Sequence, residues 1–310
     1  MLSVNQTTFT LVGFSLGLQM QICMFIVFLG IYLVSVMGNV VILAVTSLRK
    51  SLHTPMYFFL CNMAVLDIGF ISCTLPKLLT ILSSNNKSIA FIGCILQLYF
   101  YMCLGSTEFY MLAIMSVDRY VAISYPLRYS TIMTMNVSLL LILLSWVFGF
   151  LAFLYPIALL LDLSFCGPFV LNHFFCECSV LVKVSCSDTQ TFDMLFSSCA
   201  SAIVLLSFTI TAVSYTNILY TIIRIPSSSG KRKAFSTCAS HFIAVNLAYV
   251  TVIFLYVRSA KTASPELTKI ITILNSILAP LTHPFIYTLR NKQVQDALRV
   301  SIKKALESRL

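Results

Sequence analysis

The sequence predicts an all-α protein, a seven-transmembrane helix bundle with a short amphipathic cytoplasmic helix. Three observations carry this. The 310 residues are 59% hydrophobic and only 10% charged, against about 25% charged in soluble domains, and mean hydropathy is +0.94. Apolar runs occupy 20–46, 56–82, 91–117, 138–161, 194–223, 234–257 and 267–289. Each is about 20 residues or longer, enough to cross a ~30 Å hydrocarbon core. Finally, 14 of the 20 Lys and Arg residues fall on one side of these runs. The chain 1–310 therefore reads as one domain: an extracellular tail (1–19), the bundle (20–289) and a cytoplasmic tail (290–310).

The first 48 residues carry no charge, so nothing holds the N-terminus in the cytosol. Residues 1–19 lack the basic start and compact apolar core of a signal peptide, and span one is expected to serve as the targeting signal. Arg49 and Lys50 follow span one, and Arg119 and Arg128 mark the end of span three. Arg224 and Lys231-Arg232-Lys233 flank the connection from span five to six, and six more basic residues fill the tail. By the positive-inside rule that face is cytoplasmic. The net charge of +10 thus marks topology and attraction to anionic membrane lipids, not nucleic acid. Two glycosylation sequons, at Asn5 and Asn86, fall outside; a third, at Asn136, falls inside and is expected to stay unmodified.

Within the spans, Asp67 and Glu108 are the acids deep in apolar runs. Intramembrane acids face a bundle interior or a water pocket. They are read as a polar cluster with Asn39 and His283, open to a shared sodium ion or proton, with Ser72, Ser106 and Ser276 at similar depth. Tyr101, Gly105 and Glu108 recur at helical spacing on span three, with Met102 and Ser106 alongside. Tyr249, Val252, Ile253 and Tyr256 do so on span six, and Cys199 and Ile203 share a face of span five. Their common depth suggests a pocket for a small, mostly apolar ligand, with Ser276 contributed by span seven. Pro76, Pro156, Pro280 and Pro284 permit kinks.

Asp118-Arg119-Tyr120 lies where span three meets the inner water boundary, the place for a paired acid and base that can open as a switch. Of the eleven cysteines, Cys94, Cys166, Cys176, Cys178 and Cys186 face the oxidising side, and the odd count leaves one thiol unpaired. His173 with Cys176 and Cys178 offers soft ligands at close spacing, but disulfides are expected there instead, and no metal or cofactor is implied. In the tail, Val294, Ala297, Leu298, Ile302 and Ala305 face one way and Lys292, Arg299, Lys303 and Lys304 another, an amphipathic helix on the membrane surface.

Five segments in order carry a resemblance to a known family: Leu52-His53-Thr54-Pro55-Met56-Tyr57, the stretch 115–129 around Asp118-Arg119-Tyr120, Ser214-Tyr215, Lys233-Ala234-Phe235-Ser236-Thr237-Cys238-Ala239-Ser240-His241, and Pro284-Phe285-Ile286-Tyr287. Along nearly its whole length the chain resembles the odorant receptors of the rhodopsin-like G-protein-coupled class, tetrapod type. The resemblance implies a plasma-membrane receptor for small volatile odorants that engages an olfactory stimulatory G protein and raises cyclic AMP. It implies Arg119 as the inner-face arginine, Asp118 as its restraint and Tyr215 and Tyr287 as its partners. Lys233 and His241 belong to the same G-protein face, and Tyr249 would be an aromatic switch beneath the ligand. It also implies disulfides Cys94–Cys176 and Cys166–Cys186, leaving Cys178 odd. Three departures stand out: His283 where the family has Asn, Val250 where glycine is usual, and Ser124-Tyr125 for Cys-His. His283 weakens the case for an ion between Asp67 and Glu108.

Other classes fit poorly. A transporter predicts internal repeats or a charged pathway, and neither is present in the sequence. An enzyme needs a catalytic set within one leaflet, and none is seen. A receptor for another small ligand is the alternative. Lys269 lies at the outer end of span seven, too shallow for a retinal linkage, and Tyr101 stands where an amine counter-ion is expected.

Overall fold

The computed structural model describes residues 8–14, 16–84, 86–257, 265–289 and Gln295. Asn5 and the expected tail helix lie outside the described residues, as do the side chains of Lys233, Ile253, Tyr256 and Tyr287. The elements run β1 (Thr8–Leu11), α1 (Leu18–Leu48), α2 (Pro55–Ser84), β2 (Ser88–Ala90), α3 (Phe91–Ser124), α4 (Tyr129–Ile132), α5 (Met135–Leu151) and α6 (Leu154–Asp162). They continue with β3 (Val170–Leu171), α7 (Cys178–Val182), α8 (Gln190–Arg224), α9 (Ser228–Val257) and α10 (Pro265–Leu289).

Each apolar run forms a helix, and the ends have local causes. Span three runs on to Ser124, past Asp118 and Arg119, and stops where Pro126 disfavours helical backbone at Tyr125. Span four is split into α5 and α6 because Pro156 has no N–H for the carbonyl of Ala152. Among the described residues six helices are long and apolar enough to cross a membrane. α9 makes a seventh if its halves, Ser228–Ser236 and His241–Val252, bent by 48°, count as one span.

The distribution of side chains is that of a bundle solvated by lipid. Ile22, Ile26, Leu139, Leu143, Leu205, Ile223 and Val250 are exposed, while Asn39, Asp67, Thr107, Ser116, Asp118 and His283 are buried. Val250 thus points outward, so the glycine position it replaces does not crowd the interior. α3 is the central post, touching α2, α5, α6, α8 and α9. Small residues set the close approaches. A Cβ on Gly149 would overlap the Thr107 hydroxyl, so α5 lies directly on α3.

α1 and α10 meet through proline chemistry. Pro284 has no N–H to give the Pro280 carbonyl four residues earlier, and Asn39 Nδ2 fills that place at 3.2 Å. Gly38 leaves room for the Pro284 ring, which would lie 3.0 Å from a Cβ there.

The all-α frame carries one small addition. β1 is the middle strand of a sheet ordered β2-β1-β3, antiparallel to β2 and parallel to β3. Its alternation drives Phe9 and Leu11 inward, and Phe9 packs among Phe91, Phe165 and Phe169. The tail segment before span one is therefore part of the roof over the bundle.

Candidate ligand-binding and switch site

A cavity of about 690 Å³ lies between α3, α8, α9 and α10 under the α6–α8 connection. From α3 it is lined by Tyr101, Met102, Gly105, Ser106, Glu108 and Phe109, from α8 by Phe196, Ala200 and Ile203, and from α9 by Ala248, Thr251 and Val252. The stripes on span three and the residues Ile203 and Val252 thus meet in one space. Three other expected lining residues do not. Cys199 is rotated off the cavity, where Ala200 takes its place, and Ser276 is replaced by Asn275. One residue is a 100° turn of a helix, and hydropathy alone does not fix the rotation to that precision. Tyr249 is buried below the cavity, its ring 5.4 Å from the cavity-lining Phe109.

Tyr101 organises the upper wall. Its ring stacks on Phe70 at 4.7 Å and meets Phe175 at 5.1 Å, and its hydroxyl accepts from Asn275 Nδ2 at 3.2 Å. Gly105 lies one turn deeper, where a Cβ would touch Phe70 at 3.4 Å. The roof is held by covalent and polar ties. Cys94 at the start of α3 is bonded to Cys176, and Cys166 to Cys186. Gln97 clamps the same point, donating to the Cys73 carbonyl at 2.6 Å while its Oε1 accepts from Cys176 N–H at 3.0 Å.

Cys178 is the odd thiol; it lines the cavity, and burial keeps it well above its ordinary pKa, hence protonated. Glu177 beside it is raised by burial and accepts from the Ser179 hydroxyl. His173 is buried and held neutral, its pKa lowered to about 3 by burial and by the nearby Lys269. With Cys176 in a disulfide, this segment retains no metal-ligand set, and no such group of three occurs among the described residues. Lys269 is buried at the outer end of α10, its ammonium donating to the Gly13 carbonyl at 2.7 Å and to Glu266 at 2.8 Å. Nothing in the spacing of Gly13 and Lys269, 256 residues apart, announces that this cation ties down the tail.

Below the cavity the deep polar cluster takes a different form from the expected one. His283 Nδ1 sits 3.0 and 3.2 Å from the two Asp67 oxygens, both side chains buried. Asn39 serves Ser35 and Pro280 instead of Asp67, and Ser72 faces outward, sharing a bond with the Tyr32 hydroxyl. The imidazole therefore stands where a shared cation was expected to bridge the acids. Glu108 is within electrostatic reach of this pair but makes no hydrogen bond or ion pair to a described residue. It faces the cavity floor.

A polar chain continues inward. The Tyr249 hydroxyl is 3.4 Å from Thr211 Oγ1, which Ser116 meets at 3.4 Å from α3. One turn further along α8, the Tyr215 hydroxyl is 2.8 Å from His241 Nδ1, so in this arrangement Tyr215 holds α9 and not Arg119. Arg119 Nη2 is 3.0 Å from Asp118 Oδ2. The other carboxylate oxygen accepts from the Tyr129 hydroxyl at 2.7 Å. Tyr120 makes a 3.4 Å contact with Tyr125. Tyr129 lies beyond Pro126 and reaches Asp118 only through the fold of the loop, so its place in the chain does not announce the contact. Asn86 is exposed, its Oδ1 accepting from Ser88 Oγ at 2.9 Å.

The family described as "Olfactory receptor" matches residues 28–306. Olfactory receptor 287 of Rattus norvegicus is 46% identical over 295 residues, 95% of each chain. Olfactory receptor 6J1 of Homo sapiens is 43% identical over 307 residues, 98% of this chain and 88% of that one. Olfactory receptor 6E1 of Mus musculus is 44% identical over 303 residues, 97% of each.

Proposed function

The chain belongs to the olfactory receptor family, a multi-pass membrane receptor and not an enzyme, and on that premise we propose that it binds small, largely apolar volatile odorants in the cavity and activates a stimulatory olfactory G protein, raising cyclic AMP. The N-terminus faces outside and the C-terminus the cytosol, a reading supported by the one-sided Lys and Arg.

The observation that carries the proposal is the cavity's company. Its wall is mostly apolar and aromatic in area, with polar groups contributed by each helix and by the roof, and its floor residue Phe109 touches Tyr249. From Tyr249 the chain through Thr211 and Ser116 leads toward the Tyr215–His241 and Asp118–Arg119 contacts. A ligand pressing on Phe109 biases the position of α9, whose 48° bend is where we place the hinge between closed and open arrangements. Inward closure holds Tyr215 on His241; opening frees it for Arg119, and the surface between α3, α8 and α9 receives the G protein.

The test is a cyclic AMP reporter in cells carrying the receptor at measured surface density. Volatile panels give dose-dependent signals that vanish without the stimulatory G protein. Response confined to non-volatile peptides or amines would assign the receptor to another ligand class.

A further inference from the structure

The cavity's polar groups are not equally available to a ligand. The hydroxyls of Ser106, Thr251 and Thr272 donate to carbonyls of their own helices, at 2.7, 2.9 and 2.9 Å. Asn275 is engaged with Tyr101. Glu177 has Ser179 and lies near Lys183, and Asp193 accepts from Thr189 at 2.9 Å. Glu108 alone among the lining acids lacks a hydrogen bond or ion pair to a described residue. The neighbouring imidazole bonds both oxygens of Asp67 through Nδ1 and acts on Glu108 through charge, with no hydrogen bond to it.

We infer that Glu108 is the polar anchor of the ligand, and that the receptor selects volatiles bearing a hydrogen-bond donor head group, an alcohol or amine, over those that only accept. The inference rests on the proposed odorant-binding role of the cavity. A carboxyl group accepts from O–H or N–H in either protonation state. Only its protonated form can donate to an ether or ester oxygen, and its carboxylate meets that oxygen lone pair against lone pair. Donors are thus served in both states and pure acceptors in one. Glu108 lies two helical turns, about 10 Å, below Tyr101. The head group therefore goes down to the floor and the alkyl body lies along Met102, Phe109, Ile203 and Val252. Placed there, the head group is also next to the Asp67–His283 pair. An acid on span three thus faces the ligand after all, from a depth below the position that Tyr101 occupies.

The experiment compares a primary alcohol, the primary amine and the methyl ether of one alkyl body on the full-length receptor, with cyclic AMP and surface labelling read together. In the wild type the alcohol or amine is at least about tenfold more potent than the ether, as expected for one buried hydrogen bond gained or lost. Glu108→Gln weakens the amine by at least about tenfold and leaves the ether unchanged or improved. Equal potency of ether, alcohol and amine in the wild type overturns the inference. So does a Glu108→Gln shift of the same factor for all three, which marks a purely structural role. If the variant does not reach the surface, the wild-type ratio decides. Silence of the surface-expressed wild type to every volatile would instead defeat the odorant reading itself.

Discussion

Replacing Tyr129 with Phe removes one oxygen atom from the inner end of the bundle and is expected to raise signalling without ligand. In the structure Asp118 is 1% exposed, and each of its oxygens has one donor: Arg119 on Oδ2, Tyr129 on Oδ1. Burial and the adjacent carboxylate push the Tyr129 phenol above its ordinary pKa, so the proton the bond needs stays in place. A hydrogen bond to a charged group contributes about 1.5–3 kcal/mol. If the bond exists only while Arg119 is restrained, its loss shifts the closed-to-open equilibrium by about 10- to 150-fold. A receptor open about 1% of the time would then be open about 10–60% of the time. The assay is basal cyclic AMP at matched surface density, followed by an agonist dose response, where the half-maximal concentration falls in parallel. Unchanged basal signal and unchanged potency, with the variant at the surface, would refute the idea that Tyr129 restrains the switch.

Three further outcomes follow from other contacts. His283→Asn retains a donor for Asp67 and keeps agonist signalling at or above wild type, whereas His283→Ala strips a buried acid of its partner and costs about 3–5 kcal/mol; surface-normalised dose responses and melting temperatures distinguish them. Gly149→Leu drives a side chain into Thr107 and destabilises the α3–α5 contact by about 1–3 kcal/mol, read as a lower melting temperature that Thr107→Ala partly restores. For His173 the folded pKa of about 3 lies below the unfolded value of ~6.5. The unfolded chain therefore takes up the proton first as pH falls. Stability is full above pH ~6.5 and declines by up to about 1.4 kcal/mol per unit from there toward 3. Melting of the solubilised receptor between pH 7.5 and 5 is expected to fall less steeply in His173→Gln; equal slopes would remove His173 as the cause.

Much of the bundle was legible because lipid imposes a simple rule, and long apolar runs separated by one-sided positive charge have few other readings. The helix ends were less so. Asp118 and Arg119 are polar enough to look like a boundary, yet the helix continues until Pro126 intervenes. Facing was the weakest link: Cys199 and Ala200, or Ser276 and Asn275, differ by one step, and only contacts with neighbouring helices choose between them. The pairing of the outer cysteines could not be read from five thiols and rested on resemblance. Thr8–Leu11 is too short to announce a strand; it becomes one because two loops from distant parts of the chain offer it edges.

That strand also bears on the order in which the receptor is made. Residues 8–14 precede every span, and their partners follow in stages, with β2 first, after the second span. β1 needs Val170 and Leu171, available after the fourth span, and Gly13 needs Lys269, 256 residues further on. Contacts between such remote positions form slowly. β1 can thus pair with β2 early, but the roof closes only when α10 brings Lys269 to Gly13. Completion of the roof can serve as a check that every span has been inserted, and slow assembly at this point would hold receptors in the early secretory pathway.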